Sequence, residues 1–136
     1  MIYDVHLTVA VNSRVLYHET VGGKCPVRES IDSRKGRDRA KIFALISALQ
    51  DRGPTLPLPY ADLLADGIHE LGIRLSGDQF RLLYFFCFRK LIVLTHTFAK
   101  VTAQAPQAEI QKAKKYRSDF LFRHKESDLE AMHDDI

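Results

Sequence analysis

The stretch from Ile68 to Phe98 limits the possible folds of this chain more than any other part of its sequence. It holds three runs rich in β-branched, aromatic and leucine residues, separated only by short gaps: Glu70 to Leu75, Gln79 to Phe86 and Lys90 to Phe98. Such runs predict three antiparallel strands in sequence order. The first gap contains Gly77-Asp78, and a glycine in the first position suits a two-residue hairpin loop.

This loop predicts a register for the first two strands, because loop length sets the cross-strand pairs. With Gly77-Asp78 as the loop, Arg74 pairs directly with Arg81. Like charges that face each other destabilise a strand pair, so this pair indicates an anion held between two guanidinium groups. The alternative is that both arginines are solvated or salt-bridged, with Glu70 or Asp78 as partners. The residues alone leave both interpretations open.

The second hairpin is expected to add a histidine to the same row. A two-residue loop at Phe88-Arg89 and a four-residue loop from Cys87 to Lys90 give one register, in which His96 lies opposite Arg81. The expectation is therefore a polar row of Arg74, Arg81 and His96 across three strands. A three-residue loop at either turn would shift the register and break the row.

Three helices are predicted outside this stretch. Pro26 suits the first position of a short helix that ends at Asp32. A second helix, Arg37 to Arg52, has an apolar stripe with helical spacing, formed by Ile42, Leu45, Ile46 and Leu49 and widened by Phe43. Its basic residues are interpreted as a solvated surface: Arg37, Arg39, Lys41 and Arg52. Pro106 opens a third helix, which is expected to fray after Phe120 to Phe122.

The remaining segments have weaker patterns. Residues 1–12 are expected to form an N-terminal arm or an extra strand, either in a hairpin with Arg14 to Thr20 or in one extended segment with it. Tyr60 to Ala65 is expected to form one helical turn. Residues 126–136 lack a hydrophobic face and are predicted to be a mobile acidic tail. The whole chain, 1–136, is expected to be a single domain.

Composition narrows the class of protein. A hydrophobic content of 46% with 27% charged residues is typical of a soluble globular domain. The longest apolar run, Leu82 to Phe88, is too short to span a bilayer, and the first residues lack the basic region of a signal peptide. Cys25 and Cys87 have no metal or redox spacing. The expectation is a cytoplasmic protein without a membrane segment.

Positive charge is concentrated in most of the chain. Residues 126–136 hold five of the 17 acidic residues and no lysine or arginine, so residues 1–125 carry 20 basic side chains against 12 acidic ones. Such a domain is typical of proteins that bind a polyanion or an acidic partner. The alternative is a mildly basic protein without such a partner.

The polar row and Lys100, which follows the last predicted strand, form the candidate site. The sequence has no phosphate-binding glycine loop, no paired metal ligands and no nucleophile elbow. Cationic groups with a proton carrier suit phosphodiester transfer in RNA, in which the ribose 2′-hydroxyl attacks phosphorus. Arginines would hold the phosphate and His96 would move a proton. Alternatively, His96 is a structural strand residue. No metal or other cofactor is required.

Several segments, in this order and spacing, carry a family resemblance: Lys24 to Val27, Gly53-Pro54, Gly67 to Phe86, Ile92 to Lys100 and Pro106 to Phe120. Over roughly residues 14–121 the chain resembles the HigB-like branch of the RelE/ParE toxin superfamily. The resemblance implies a compact α+β fold, with N-terminal helices on one side of an antiparallel sheet and a C-terminal helix. It also implies the toxin of a type II toxin–antitoxin pair, with an antitoxin as partner and oligomers formed through that complex.

The resemblance also implies roles for individual residues. Arg81 matches the phosphate-binding arginine of the family, and Arg74 and Lys100 match two further basic positions. His96 and Tyr84 are weaker candidates for proton transfer. RelE and HigB members are mRNA interferases, endoribonucleases that cleave messenger RNA on the ribosome and inhibit translation, so the ribosome and mRNA are the implied partners.

Two departures from the family pattern keep a second hypothesis open. The family's Glu-Leu-Arg reads Glu70-Leu71-Gly72 here, and its double lysine reads Lys100-Val101, so two cationic groups are missing. The first hypothesis is an endoribonuclease. The second is a catalytically weak relative that acts by binding a protein, either DNA gyrase, as ParE members do, or the antitoxin.

Overall fold

The computed structural model describes residues 13–101 and 105–130. A five-stranded sheet forms the centre of this part of the chain, in the spatial order β1-β5-β4-β3-β2. Its strands are β1 (Arg14–Tyr17), β2 (Ala61–Ala65), β3 (Ile68–Leu75), β4 (Asp78–Cys87) and β5 (Leu91–Ala99). Neighbours among β2 to β5 are antiparallel, and they include the predicted meander, whereas β1 runs parallel to β5. The sheet is therefore mixed.

Four α-helices accompany the sheet in the described residues, and the predicted α+β fold class is confirmed. Three of them lie where the sequence predicts helices: α1 (Pro26–Asp32), α2 (Gly36–Arg52) and α3 (Gln107–Arg123). The fourth, α4 (Glu126–Glu130), occupies the start of the segment that was expected to be a mobile tail. The predicted N-terminal arm, residues 1–12, and residues 131–136 lie outside the described residues.

Each face of the sheet has a separate hydrophobic core. On one face α1 and α2 contribute buried side chains, and the predicted stripe of α2 supplies Ile42, Ile46 and Leu49. On the other face α3 contributes Ile110, Ala113 and Phe120. The N-terminal helices and the C-terminal helix thus lie on opposite sides of the sheet.

The expectation of a helical turn from Tyr60 to Ala65 is wrong. Ala61–Ala65 is strand β2, which pairs antiparallel with β3 from Ala61↔Leu71 to Ala65↔Ile68. Asp66 and Gly67 form the tight connection, both with positive φ. Cross-strand hydrogen bonds to β3 therefore override the local helical preference of this segment.

The predicted pairing of Arg74 with Arg81 is also wrong. Leu75 pairs with Asp78, so the loop is Ser76-Gly77, and Gly77 takes its second position with φ 80°. Glycine suits this left-handed conformation, because it has no Cβ. Arg74 consequently pairs with Gln79, and Arg81 pairs with Gly72. The two arginines still share one face of the sheet, since side chains alternate along each strand.

The predicted pairing of His96 with Arg81 is wrong for two reasons. Cys87 pairs with Leu91, which leaves a three-residue loop, the case that shifts the register. A β-bulge then inserts Thr95 between the pairs Tyr84↔Leu94 and Leu83↔His96. The bulge returns His96 to the face of Arg81 but one cross-strand pair away, beside Leu83.

Candidate functional site

A groove of about 680 Å³ runs between α2 and the outer edge of β3. It exists because β2 pairs with β3 no further than Ala61↔Leu71, so among the described residues no strand covers the edge of Ile73–Leu75 that faces away from β4. One wall is the side of α2 that presents Lys41, Ala44, Leu45, Ala48 and Arg52. The rest of the lining is Leu56, Pro59, Tyr60, Gly72, Ile73, Arg74, Gln79 and Arg81. Both arginines of the predicted site thus line one concave surface.

The groove is strongly cationic. Four basic side chains line it, Lys41, Arg52, Arg74 and Arg81, and none of the described lining residues is acidic. The Lys41 Nζ donates a hydrogen bond of 3.3 Å to the backbone oxygen of Arg74, which links α2 to the open strand edge. Lys41 and Arg52 are exposed, as the sequence predicts, but their place in the groove does not follow from the sequence interpretation. Concentrated positive charge in a concave surface favours an anionic ligand.

Arg81 is held in place by three contacts. Its side chain is 17% exposed. Nη1 donates to the Phe80 backbone oxygen at 2.9 Å, Nη2 donates to Gln79 Oε1 at 3.2 Å, and Nε lies 3.6 Å from Glu70 Oε1. Two of these acceptors are neutral, and the third, the Glu70 carboxylate, is shared with Lys100. The guanidinium group therefore retains positive charge for an external anion, and this geometry is suited to binding phosphate.

Gly72 makes room for this guanidinium group. A Cβ atom at position 72 would lie 3.0 Å from Arg81 Cζ and 3.1 Å from Nε and Nη1. Gly72 thus lacks the cationic side chain of the family pattern and also leaves room for that of Arg81. Where the family pattern has an arginine on β3, the guanidinium of Arg81 covers the strand instead, and any side chain at position 72 would crowd it.

Lys100 is connected to Arg81 through Glu70. The Glu70 carboxylate is 7% exposed, and its Oε1 accepts a hydrogen bond of 3.1 Å from Lys100 Nζ as well as lying near Arg81. The Lys100 amide donates to the Gln79 backbone oxygen at 2.8 Å. Glu70, considered in the sequence only as a salt-bridge partner, thus positions both cations, and the three side chains together keep one net positive charge.

His96 lies beneath α3 and not in the groove. It is 2% exposed, its Nε2 donates to Glu109 Oε1 at 2.9 Å, and its Nδ1 lies 3.1 Å from Thr95 Oγ1. Burial lowers the pKa of the imidazole below its ordinary value, although the hydrogen bond that it donates to Glu109 acts in the opposite direction. Its surroundings are those of a packed core histidine that attaches α3 to the sheet.

Tyr84 is likewise buried away from the groove. It is 1% exposed and belongs to the core under α1 and α2. Its ring stacks on His69 at a centroid distance of 5.2 Å, and burial raises the pKa of its hydroxyl. The structure therefore brings together Arg74, Arg81 and Lys100 but leaves out both proposed proton carriers, and no described groove residue is a histidine or a carboxylic acid.

Two further observations concern cofactors and membranes. Among residues 13–101 and 105–130, histidine, cysteine, aspartate and glutamate form no group of three or more that could hold a metal ion. Every helix in the same ranges is too short or too polar to cross a bilayer.

Comparison with known proteins assigns this chain to a protein family. A search of curated proteins found no match. The family model described as "Phage derived protein Gp49-like (DUF891)" matches residues 29–118, about two thirds of the chain. The matched region extends from α1 into α3 and includes the whole groove. The chain therefore belongs to the Gp49-like family of phage-derived proteins, which is part of the RelE/ParE-like toxin group.

Proposed function

We propose that this protein is the toxin of a toxin–antitoxin pair and that it cleaves messenger RNA on the ribosome. Membership of the RelE/ParE-like toxin group supports the first part. The cationic groove supports the second, because phosphate is the charged group of RNA and arginine binds it through paired N–H donors. An antitoxin that neutralises the toxin is the expected protein partner.

The proposed reaction is attack of the ribose 2′-oxygen on the adjacent phosphorus. The new bond joins that oxygen to phosphorus, and the bond from phosphorus to the 5′-oxygen breaks. Arg81 and Arg74 would bind the non-bridging oxygens and offset the charge that grows there in the transition state. Lys100, held beside Arg81 by Glu70, would add to the positive potential at that point.

Proton transfer is assigned to groups outside the groove. Since no described groove residue is a histidine or a carboxylic acid, the proton of the 2′-hydroxyl would pass to water or to a ribosomal group. The 5′-oxygen would be protonated in the same way. Because a ribosomal group would supply or accept these protons, the proposed cleavage would depend on the ribosome.

The observation that carries the proposal is the position of Arg81 in the groove, folded over Gly72 and on the same face of the sheet as Arg74. The test is Arg81→Ala, with Arg89→Ala as the matched control. Arg89 is exposed in the β4–β5 turn, at the other end of β4. We expect Arg81→Ala to abolish growth arrest and mRNA cleavage in a translating extract, and Arg89→Ala to retain both. Cleavage by a folded Arg81→Ala variant at the parental rate would disprove this mechanism.

One observation favours a second candidate function. The absence of a histidine or a carboxylic acid among the described groove residues would also suit a protein that acts by binding a target such as DNA gyrase. The two candidates differ in which process stops first after expression. Early arrest of protein synthesis with cut mRNA supports the nuclease, whereas inhibition of DNA supercoiling with intact mRNA supports the gyrase-type function.

A further inference from the structure

The two groove cations of α2 lie towards the ends of that wall, and the neutral stretch between them is the middle of the groove. Lys41 and Arg52 are eleven residues apart on α2, which corresponds to about 16 Å along the helix axis. Between them the groove-facing side of α2 carries Ala44, Leu45 and Ala48. Leu56 and Ile73 add further apolar side chains to the lining. A bound phosphate would use an end of this groove but none of its apolar middle.

Small side chains keep the middle of the groove open. Ala44 and Ala48 are one helical turn apart, so their methyl groups leave space where longer side chains would fill it. Tyr60 stands beside this space and is 51% exposed. Its backbone is fixed on both sides, because its N–H donates to the Pro57 oxygen at 3.0 Å and its own oxygen accepts from the Gly72 N–H at 2.9 Å.

We infer that the middle of the groove binds an unstacked nucleobase of single-stranded RNA, with the flanking phosphates at the cationic ends. This inference rests on the proposed function and specifies its substrate class. A positively charged groove with an aromatic side chain for stacking is the usual means of binding single strands, and a base inside a duplex could not enter such a site.

The same surface indicates how selective the base site is. The neutral polar side chains in the lining are Gln79 and Tyr60, and the Gln79 oxygen already accepts a hydrogen bond from Arg81. With the four basic side chains of the lining engaged by phosphates, few donors and acceptors are left to distinguish one base edge from another. The site binds bases by stacking and apolar contact, which tolerates all four bases.

The experiment compares adenosine 5′-monophosphate with inorganic phosphate, because the two probes differ by the nucleoside. Binding of each is measured by NMR titration of the full chain. Base stacking on an aromatic side chain predicts roughly five- to hundredfold tighter binding of the nucleotide. Equal affinity for the two probes would overturn the inference.

Ala48→Leu fills the middle of the groove without changing any charge, and Ser47→Leu is its matched control. Ser47 is the preceding residue of α2 and is exposed outside the groove. We expect Ala48→Leu to reduce nucleotide affinity to that of phosphate, with phosphate binding unchanged, and Ser47→Leu to match the parent. Nucleotide binding by Ala48→Leu equal to that of the control would overturn the inference, even if antitoxin binding were weakened.

This experiment separates the base site from the proposed function. If the parent protein leaves mRNA intact but binds nucleotide, and Ala48→Leu removes that binding, the base site is supported and the nuclease is rejected. Parental mRNA cleavage by Ala48→Leu would retain the nuclease and reject the base site.

Discussion

Gly72→Ala is a small change whose effect follows directly from the geometry of Arg81. The added methyl carbon would lie 3.0 Å from Arg81 Cζ, where ordinary contact begins at about 3.4 Å. The atom in the way belongs to the end of a flexible side chain, so Arg81 would move by a few tenths of an ångström and the strand would not. We therefore expect a loss of function without a loss of folding.

The effect of Gly72→Ala can be worked out separately for the free energy of unfolding and for the rate of cleavage. Replacing glycine by alanine restricts the unfolded chain and stabilises by about 0.4–1 kcal/mol, and one weakened hydrogen bond of Arg81 costs about 0.5–1.5 kcal/mol. These effects nearly cancel, so the free energy of unfolding should change by less than about 1 kcal/mol. A misplaced charged hydrogen bond to phosphate is worth about 1.5–3 kcal/mol, which predicts roughly ten- to hundredfold slower cleavage.

The assay is mRNA cleavage in a translating extract, together with urea unfolding of the same samples. Gly22→Ala is the matched control, because a Cβ there meets nothing closer than Thr20 Oγ1 at 4.0 Å. Gly72→Arg, which restores the family residue, should be at least as impaired as Gly72→Ala. The reasoning is refuted if Gly72→Ala cleaves at the parental rate, or if Gly72→Arg increases cleavage, as a lost cationic group would require.

Two further predictions concern the buried side chains. Burial lowers the pKa of His18, His69 and His96 in the folded protein, so the unfolded chain binds more protons below the ordinary histidine pKa of about 6.5. The free energy of unfolding should be highest above that pH and should fall as the pH drops towards the lower pKa values of the folded protein. Urea unfolding between about pH 7.5 and pH 5 measures this fall, and His96→Gln should make it smaller. A free energy of unfolding that does not change over this range would contradict the prediction. Tyr84→Phe should leave mRNA cleavage unchanged, because the hydroxyl is buried away from the groove; a tenfold or greater loss of cleavage in a stably folded variant would return Tyr84 to the site.

The helices and the meander could be predicted because their signals are local. The stripe of α2 repeats at helical spacing, and β3 to β5 are short runs rich in β-branched, aromatic and leucine residues, so neither signal depends on distant residues. The register could not be predicted in the same way. It depends on whether Gly77 is first or second in its loop, and on an extra residue, Thr95, inside β5. Each is a one-residue difference that the pattern of apolar residues does not specify.

The groove could be predicted only in part, because it joins segments that are distant in sequence. Arg74 and Arg81 were identified from β3 and β4, but the contact that brings Lys41 to Arg74 spans 33 residues. One local feature of the sequence indicates that α2 contributes to the groove. Lys41, Ala44, Ala48 and Arg52 repeat at helical spacing beside the apolar stripe of α2, and small residues between basic ones on a helix face indicate a surface that something approaches closely.

The central claim is that single-stranded RNA binds between α2 and the open edge of β3. NMR shift mapping with a short single-stranded oligoribonucleotide tests it most directly, since every backbone amide reports separately. The account predicts that the largest shifts occur at residues 72–75 of β3 and at Ala44 and Ala48 of α2, and that Arg81→Ala removes them. Shifts confined to β1 and the outer surface of α3, with the groove unchanged, would contradict it.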